Sequence, residues 1–73
     1  MTEGEYIKKI GKNIKKIRIK KGISQVQLAY ACDFEKSNMS RIEAGNTNPT
    51  VKTIFKIAAF LQVEPYEIFK VDK

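Results

Sequence analysis

The sequence has no histidine and a single cysteine, Cys32. A lone cysteine cannot form an intramolecular disulfide. Without histidine, neither a Cys/His zinc site nor a triad or dyad built on a histidine base can be assembled. No carboxylates stand paired in a recognisable catalytic setting, so no catalytic residue, metal or cofactor is expected, and binding is the starting class. Long apolar runs are missing too: none nears the roughly 18 residues of a membrane span, and the N-terminus lacks a signal-peptide pattern. The expectation is a protein with no membrane partner, in the cytoplasm and associated with the nucleoid. The last absence is local. Between Tyr6 and Cys32 there is no acid, while eight basic residues fall there: Lys8, Lys9, Lys12, Lys15, Lys16, Arg18, Lys20 and Lys21.

What is present is a basic chain of 73 residues with net charge +6 and 42% hydrophobic residues. That length makes one domain, 1–73, with a compact core and a preference for a polyanionic partner. The lysines fit either a solvated helix face or a field that draws nucleic acid in. From Glu5 to Lys21, Ile7, Ile10, Ile14 and Ile17 follow helical spacing, and Gly22 offers a left-handed stop. Ser24 suits the N-cap of a second helix, Gln25 to about Cys32, with Leu28, Ala29 and Cys32 inward. After Asp33–Phe34–Glu35 a third helix spans Lys36–Ala44, with Met39 and Ile42 inside and Gly45 at its end. Thr50 caps a fourth, Val51–Leu61, whose apolar stripe is Val51, Ile54, Ile57, Ala58 and Leu61. Pro65 opens a fifth, Pro65–Phe69, whose Ile68 and Phe69 are expected to close the core. The fold class is all-α, with five helices and no strand. Cys32 reads as a core residue.

The segment Gln25–Ala44 carries the function. Two short helices joined by a tight turn need a small residue where they approach, and Ala29 supplies it. The turn needs a residue that tolerates unusual backbone angles, which Asp33 does, and a hydrophobic pin, which is Phe34. Lys36, Ser37, Asn38, Ser40 and Arg41 are then left pointing outward, all able to hydrogen-bond.

Ile10–Gly11–Lys12–Asn13–Ile14, Ser24–Gln25–Val26–Gln27–Leu28–Ala29, Ser40–Arg41–Ile42–Glu43–Ala44–Gly45, Asn48–Pro49–Thr50 and Lys56–Ile57–Ala58 together resemble the Cro/phage-repressor (XRE) family of helix-turn-helix regulators. The resemblance runs without a gap over residues 6–69. It implies a five-helix lambda-repressor-like DNA-binding domain whose third helix enters the major groove of double-stranded DNA. It also implies an ion pair between Arg18 and Glu43 that sets the angle between helices. On that docking pattern Gln25 reaches a phosphate, Lys36 and Ser37 lie near base edges or flanking phosphates, and Arg41 can grip a guanine edge. Asn38 suits adenine or a phosphate, and Ser40 is either a contact or a small residue that permits close approach. Asn46 and Thr47 resemble the loop that clamps the backbone.

Three residues depart from the family pattern. Asp33 and Gln62 stand where glycine is usual, and Glu35 stands where Ser or Thr caps the recognition helix. One such domain reads few base pairs, so a homodimer on a palindrome is expected. Phe60 and Phe69 are assigned to the core, while Phe55 and Tyr66 suit either a dimer interface or peripheral packing. The leading expectation is a dimeric transcriptional repressor. The alternative is an antitoxin-like or accessory module that binds a protein partner through the C-terminal aromatic face, with DNA secondary.

Overall fold

The computed structural model describes residues 1–71, which form five helices: α1 (Glu3–Lys20), α2 (Gln25–Ala31), α3 (Lys36–Ala44), α4 (Val51–Leu61) and α5 (Pro65–Phe69). No strand occurs among the described residues. α1 starts two residues earlier than its apolar stripe implies because Thr2 and Glu5 form a reciprocal capping box. Glu5 N–H donates to Thr2 Oγ1 (3.2 Å), and Thr2 N–H donates to Glu5 Oε1 (3.0 Å). Donation from the Thr2 backbone N–H, and next from its side chain, holds the Glu5 carboxyl below its ordinary pKa. The cap therefore contributes fully above the ordinary carboxylate range and is lost as pH falls through the depressed value. Ser24 and Gln27 repeat the box at α2, and Thr50 caps α4 through Thr53 N–H. α2 ends at Ala31, with Cys32 as its cap.

The first four helices stop in the same way. Gly22, Asp33, Gly45 and Gln62 each take left-handed backbone angles, with φ of 71°, 59°, 77° and 58°. The N–H of the residue that follows donates back to the helix: Ile23 to Arg18 O, Phe34 to Ala29 O, Asn46 to Arg41 O and Val63 to Ala58 O. Each is a Schellman turn. In three of them the following residue, Ile23, Phe34 or Val63, packs on the core. After α3 it is the exposed polar Asn46, so the chain leaves that helix along the surface.

One core fills the space between the helices, with Ile14, Leu28, Met39, Ile57, Leu61 and Ile68 fully enclosed. Burying each such side chain contributes about 1.5–3 kcal/mol. Cys32 belongs to this core as a free thiol, and burial pushes its pKa up, which keeps it protonated and unreactive. Three apolar assignments fail. Val51 is 60% exposed, Phe60 41% and Phe69 44%. The buried stripe of α4 is centred between Ile54 and Leu61, and Val51 and Phe60 flank it on either side. Phe69 lies about 100° around the helix from Ile68, the one α5 side chain that is fully buried.

Asn13 ties the last helix down. Its Nδ2 donates to the carbonyls of Glu67 (3.1 Å), Ile68 (3.0 Å) and Lys70 (2.7 Å), the free acceptors at the end of α5. Asn13→Ala is expected to cost about 1–2 kcal/mol, since it strands carbonyls that no other side chain reaches. Urea denaturation checks this, and an unchanged midpoint would mean that water replaces the amide without loss.

Candidate nucleic-acid interface

The geometry between α2 and α3 follows from three local features. Ala29 is buried where the two helices meet. Asp33 supplies the left-handed turn, and Phe34 is drawn onto the core beside it. α3 then lies across α1 and α2, its main packing partners.

A polar network locks that placement. Arg18 and Glu43 are both buried, and they pair in bidentate fashion: Nε to Oε2 at 2.7 Å and Nη2 to Oε1 at 3.0 Å. Arg18 Nη1 also donates to the Ile23 carbonyl (2.9 Å), and Gln25 Nε2 donates to Glu43 Oε1 (3.1 Å). One carboxylate thus joins α1, α2 and α3. The Arg18–Glu43 pair is present as expected. The bond from Gln25 was not foreseen, and it turns the amide of that residue toward α3. No buried side-chain polar atom among the described residues lacks a partner.

With Met39, Ile42 and Glu43 held inward, Ser37, Ser40 and Arg41 are exposed on the other faces of α3, and Lys36 is exposed in its first turn. Among the described residues, none of these four side chains makes an intramolecular hydrogen bond. Asn38 sits differently. It is half-buried and lines a shallow cleft with Phe34, Ile42, Thr47, Pro49 and Thr53. Thr47 is half-buried beside it, and Asn46 is exposed just beyond the Schellman turn. The structure thus gathers Lys36, Ser37, Ser40, Arg41 and Asn46 on an open surface, sets Asn38 and Thr47 at its edge, and engages Gln25 from behind.

Glu35 occupies the N-cap of α3 and makes no side-chain capping bond. Glu35→Ser is expected to raise stability by about 0.5–1 kcal/mol, because serine can accept from the Asn38 N–H. A thermal melt that shows no gain would mean that the favourable charge of Glu35 at the positive helix pole already matches a neutral cap.

A helix-turn-helix family model matches residues 14–68. The HTH-type transcriptional regulator SlrR of Bacillus subtilis is 44% identical over 61 residues, covering 82% of this chain but 40% of that protein. The control protein C.BamHI of Bacillus amyloliquefaciens is 36% identical over 59 residues, covering 80% of this chain and 73% of its own length. Among solved structures, the restriction-modification controller C.AhdI of Aeromonas hydrophila superimposes with a TM-score of 0.82. It is 32% identical, over 85% of this chain and 94% of that one. The controller C.Esp1396I gives 0.78 and 34%, over 88% and 84%. With the two-helix unit, its buried Arg–Glu pair and its exposed polar α3 in place, the chain belongs to the XRE-type helix-turn-helix family of DNA-binding transcriptional regulators.

Proposed function

We propose that this protein is a homodimeric repressor that lays α3 in the major groove of its operator. The observation that carries the reading is the division of α3 into a buried face and an outward set, Lys36, Ser37, Ser40 and Arg41, free of internal bonds. Arg41 reads a guanine edge, Lys36 and Ser37 meet bases or phosphates at the helix start, and Ser40 lets the helix sit close. Asn46 and Thr47 hold the flanking backbone, with Asn38 steadying that loop. Gln25 contributes through its backbone N–H at the start of α2, its side chain being engaged with Glu43. The controllers are matched over 73–94% of their length, which supports the same kind of role.

Selecting binding sequences from a random pool and then measuring Arg41→Ala on the winner tests this. Loss of a bidentate guanine contact raises Kd by about 5–150-fold, equivalent to about 1–3 kcal/mol, and relaxes preference at one base position. Unchanged affinity and preference would remove Arg41 from the reading set. Phe55 and Tyr66, both more than half exposed, form the proposed dimer contact. The same aromatic face supports the second reading, a module that docks on another protein. Phe55→Lys separates the two: loss of the dimer in sedimentation together with loss of operator binding supports the first, and an unaltered oligomer supports the second.

A further inference from the structure

Gly11 and Asn13 fix the orientation of α1. Gly11 meets the backbone of α3, and Asn13 meets the end of α5. They are two positions apart, about 200° around the helix, so α1 is clasped from both sides. Lys12 falls between them, on the side opposite the buried Ile14. Lys16 and Lys20 follow at four-residue steps of about 6 Å, and Lys9 precedes them. This row leans toward Asn13 and α5, away from α3. The Asn13 bond to the Lys70 carbonyl brings a fifth lysine to it, and Lys9, Lys12, Lys16 and Lys70 line one cleft.

Lysines four apart on a helix repel one another, and among the described residues no member of the row is held in a salt bridge. Among the described residues the only salt bridge is Arg18–Glu43. Two acids lie near the row: Glu5 is close enough to Lys9 to feel its charge, and Glu67 lines a cleft with Lys16, Lys20 and Lys70. The row therefore keeps an excess of positive charge, five lysines against the two acids Glu5 and Glu67 among the described residues, along the side of α1 turned away from α3.

We propose that Lys9, Lys12, Lys16, Lys20 and Lys70 form a second, sequence-independent surface for the phosphate backbone of duplex DNA, so that a molecule seated on one duplex holds another. The lysine surface rests on charge and placement in α1; its role as a second surface rests on the proposed seating of α3 on an operator.

The test uses the intact protein, tethered and exposed at 50 mM salt to a labelled duplex of unrelated sequence. A Lys36→Ala/Arg41→Ala background removes the positive charges of α3. Capture persists in that background and falls about 100–500-fold in affinity by 200 mM salt, as expected for four or five neutralised phosphates. Adding Lys9→Gln, Lys12→Gln, Lys16→Gln and Lys20→Gln lowers capture by about tenfold or more, while Lys21→Gln, Lys52→Gln and Lys56→Gln lower it far less. Helical circular dichroism confirms that each variant is folded. The proposal is overturned if the Lys36→Ala/Arg41→Ala protein captures no duplex, if the ridge variant captures as well as its parent, or if the off-ridge lysines matter equally. If, in the Lys36→Ala/Arg41→Ala background, the four lysine changes leave duplex capture intact and instead abolish binding to an acidic protein, the surface belongs to that partner and the proposal falls.

Discussion

Glu43→Ala is expected to remove about 3–5 kcal/mol of folding stability, because it leaves a buried guanidinium without its counter-charge. A chain of this length has roughly 4–11 kcal/mol in total, so the variant sits near the edge of folding. The melting temperature should drop by at least 12 °C, at about 4–8 °C per kcal/mol. The loss spreads beyond one pair: Arg18, Gln25 and the link from α1 and α2 to α3 all depend on that carboxylate. The informative companion is Arg18→Met with Glu43→Leu, which removes both charges at once. It should recover much of the loss, since a buried pair exceeds its hydrophobic replacement by little or nothing. If Glu43→Ala costs less than about 1 kcal/mol, the pair behaves as a solvated surface bridge and the locking role assigned to it is wrong.

Gly11→Val carries the second large effect. A Cβ at this position would lie 2.7 Å from the Glu43 carbonyl oxygen and closer still to that of Ile42. Both obstacles are backbone, so neither can swing aside, and the helices must part. The expected cost is about 3 kcal/mol or more, the upper end for overpacking, and Gly11→Ala should cost somewhat less. The same helix provides a control. Nothing lies within 4 Å of a Cβ on Gly4, and Gly4→Ala should stabilise by up to about 1 kcal/mol. Chemical denaturation of the three variants reads the contrast. Equal responses at the two glycines would show that helix propensity, and not the α1–α3 approach, governs position 11. Because the displaced element is α3, Gly11→Val should also weaken DNA binding more than its instability alone explains.

Most of the helical framework was legible because its punctuation is local. Ser24, Thr50, Gly22 and Gly45 act on residues a few positions away and Pro65 through its own fixed φ, and all stand where the helices begin or end. Asp33 was readable as a turn because few residue types tolerate left-handed angles. The Arg18–Glu43 pair came from resemblance to the family; spacing in the sequence would not have revealed two groups 25 positions apart. What stayed hidden was long-range or a matter of degree. The amide of Asn13 finds its acceptors 54 to 57 positions away, and no periodicity records that. The Gln25 amide had several possible partners until α3 was placed. Val51, Phe60 and Phe69 are apolar residues at the flanks of correctly identified helices, and a stripe shows which way a helix faces without showing how far a neighbour reaches around it. The start of α1 was obscured by Gly4, which breaks the helical pattern within the capping box of Thr2 and Glu5.

The separation of tasks on α3 bears on how such a protein changes over generations. The side chains of Lys36, Ser37, Ser40 and Arg41 hold no part of the core and join no internal hydrogen-bond network. Substitutions there are nearly neutral for folding, generally within about 0.5 kcal/mol. If this set reads DNA as proposed, a lineage can exchange it residue by residue, drifting from one DNA target to another, without passing through an unfolded ancestor. Selection on Met39, Ile42 and Glu43 preserves the scaffold throughout. Only the caps and clasps around α3 would need to stay fixed while its outward alphabet is rewritten.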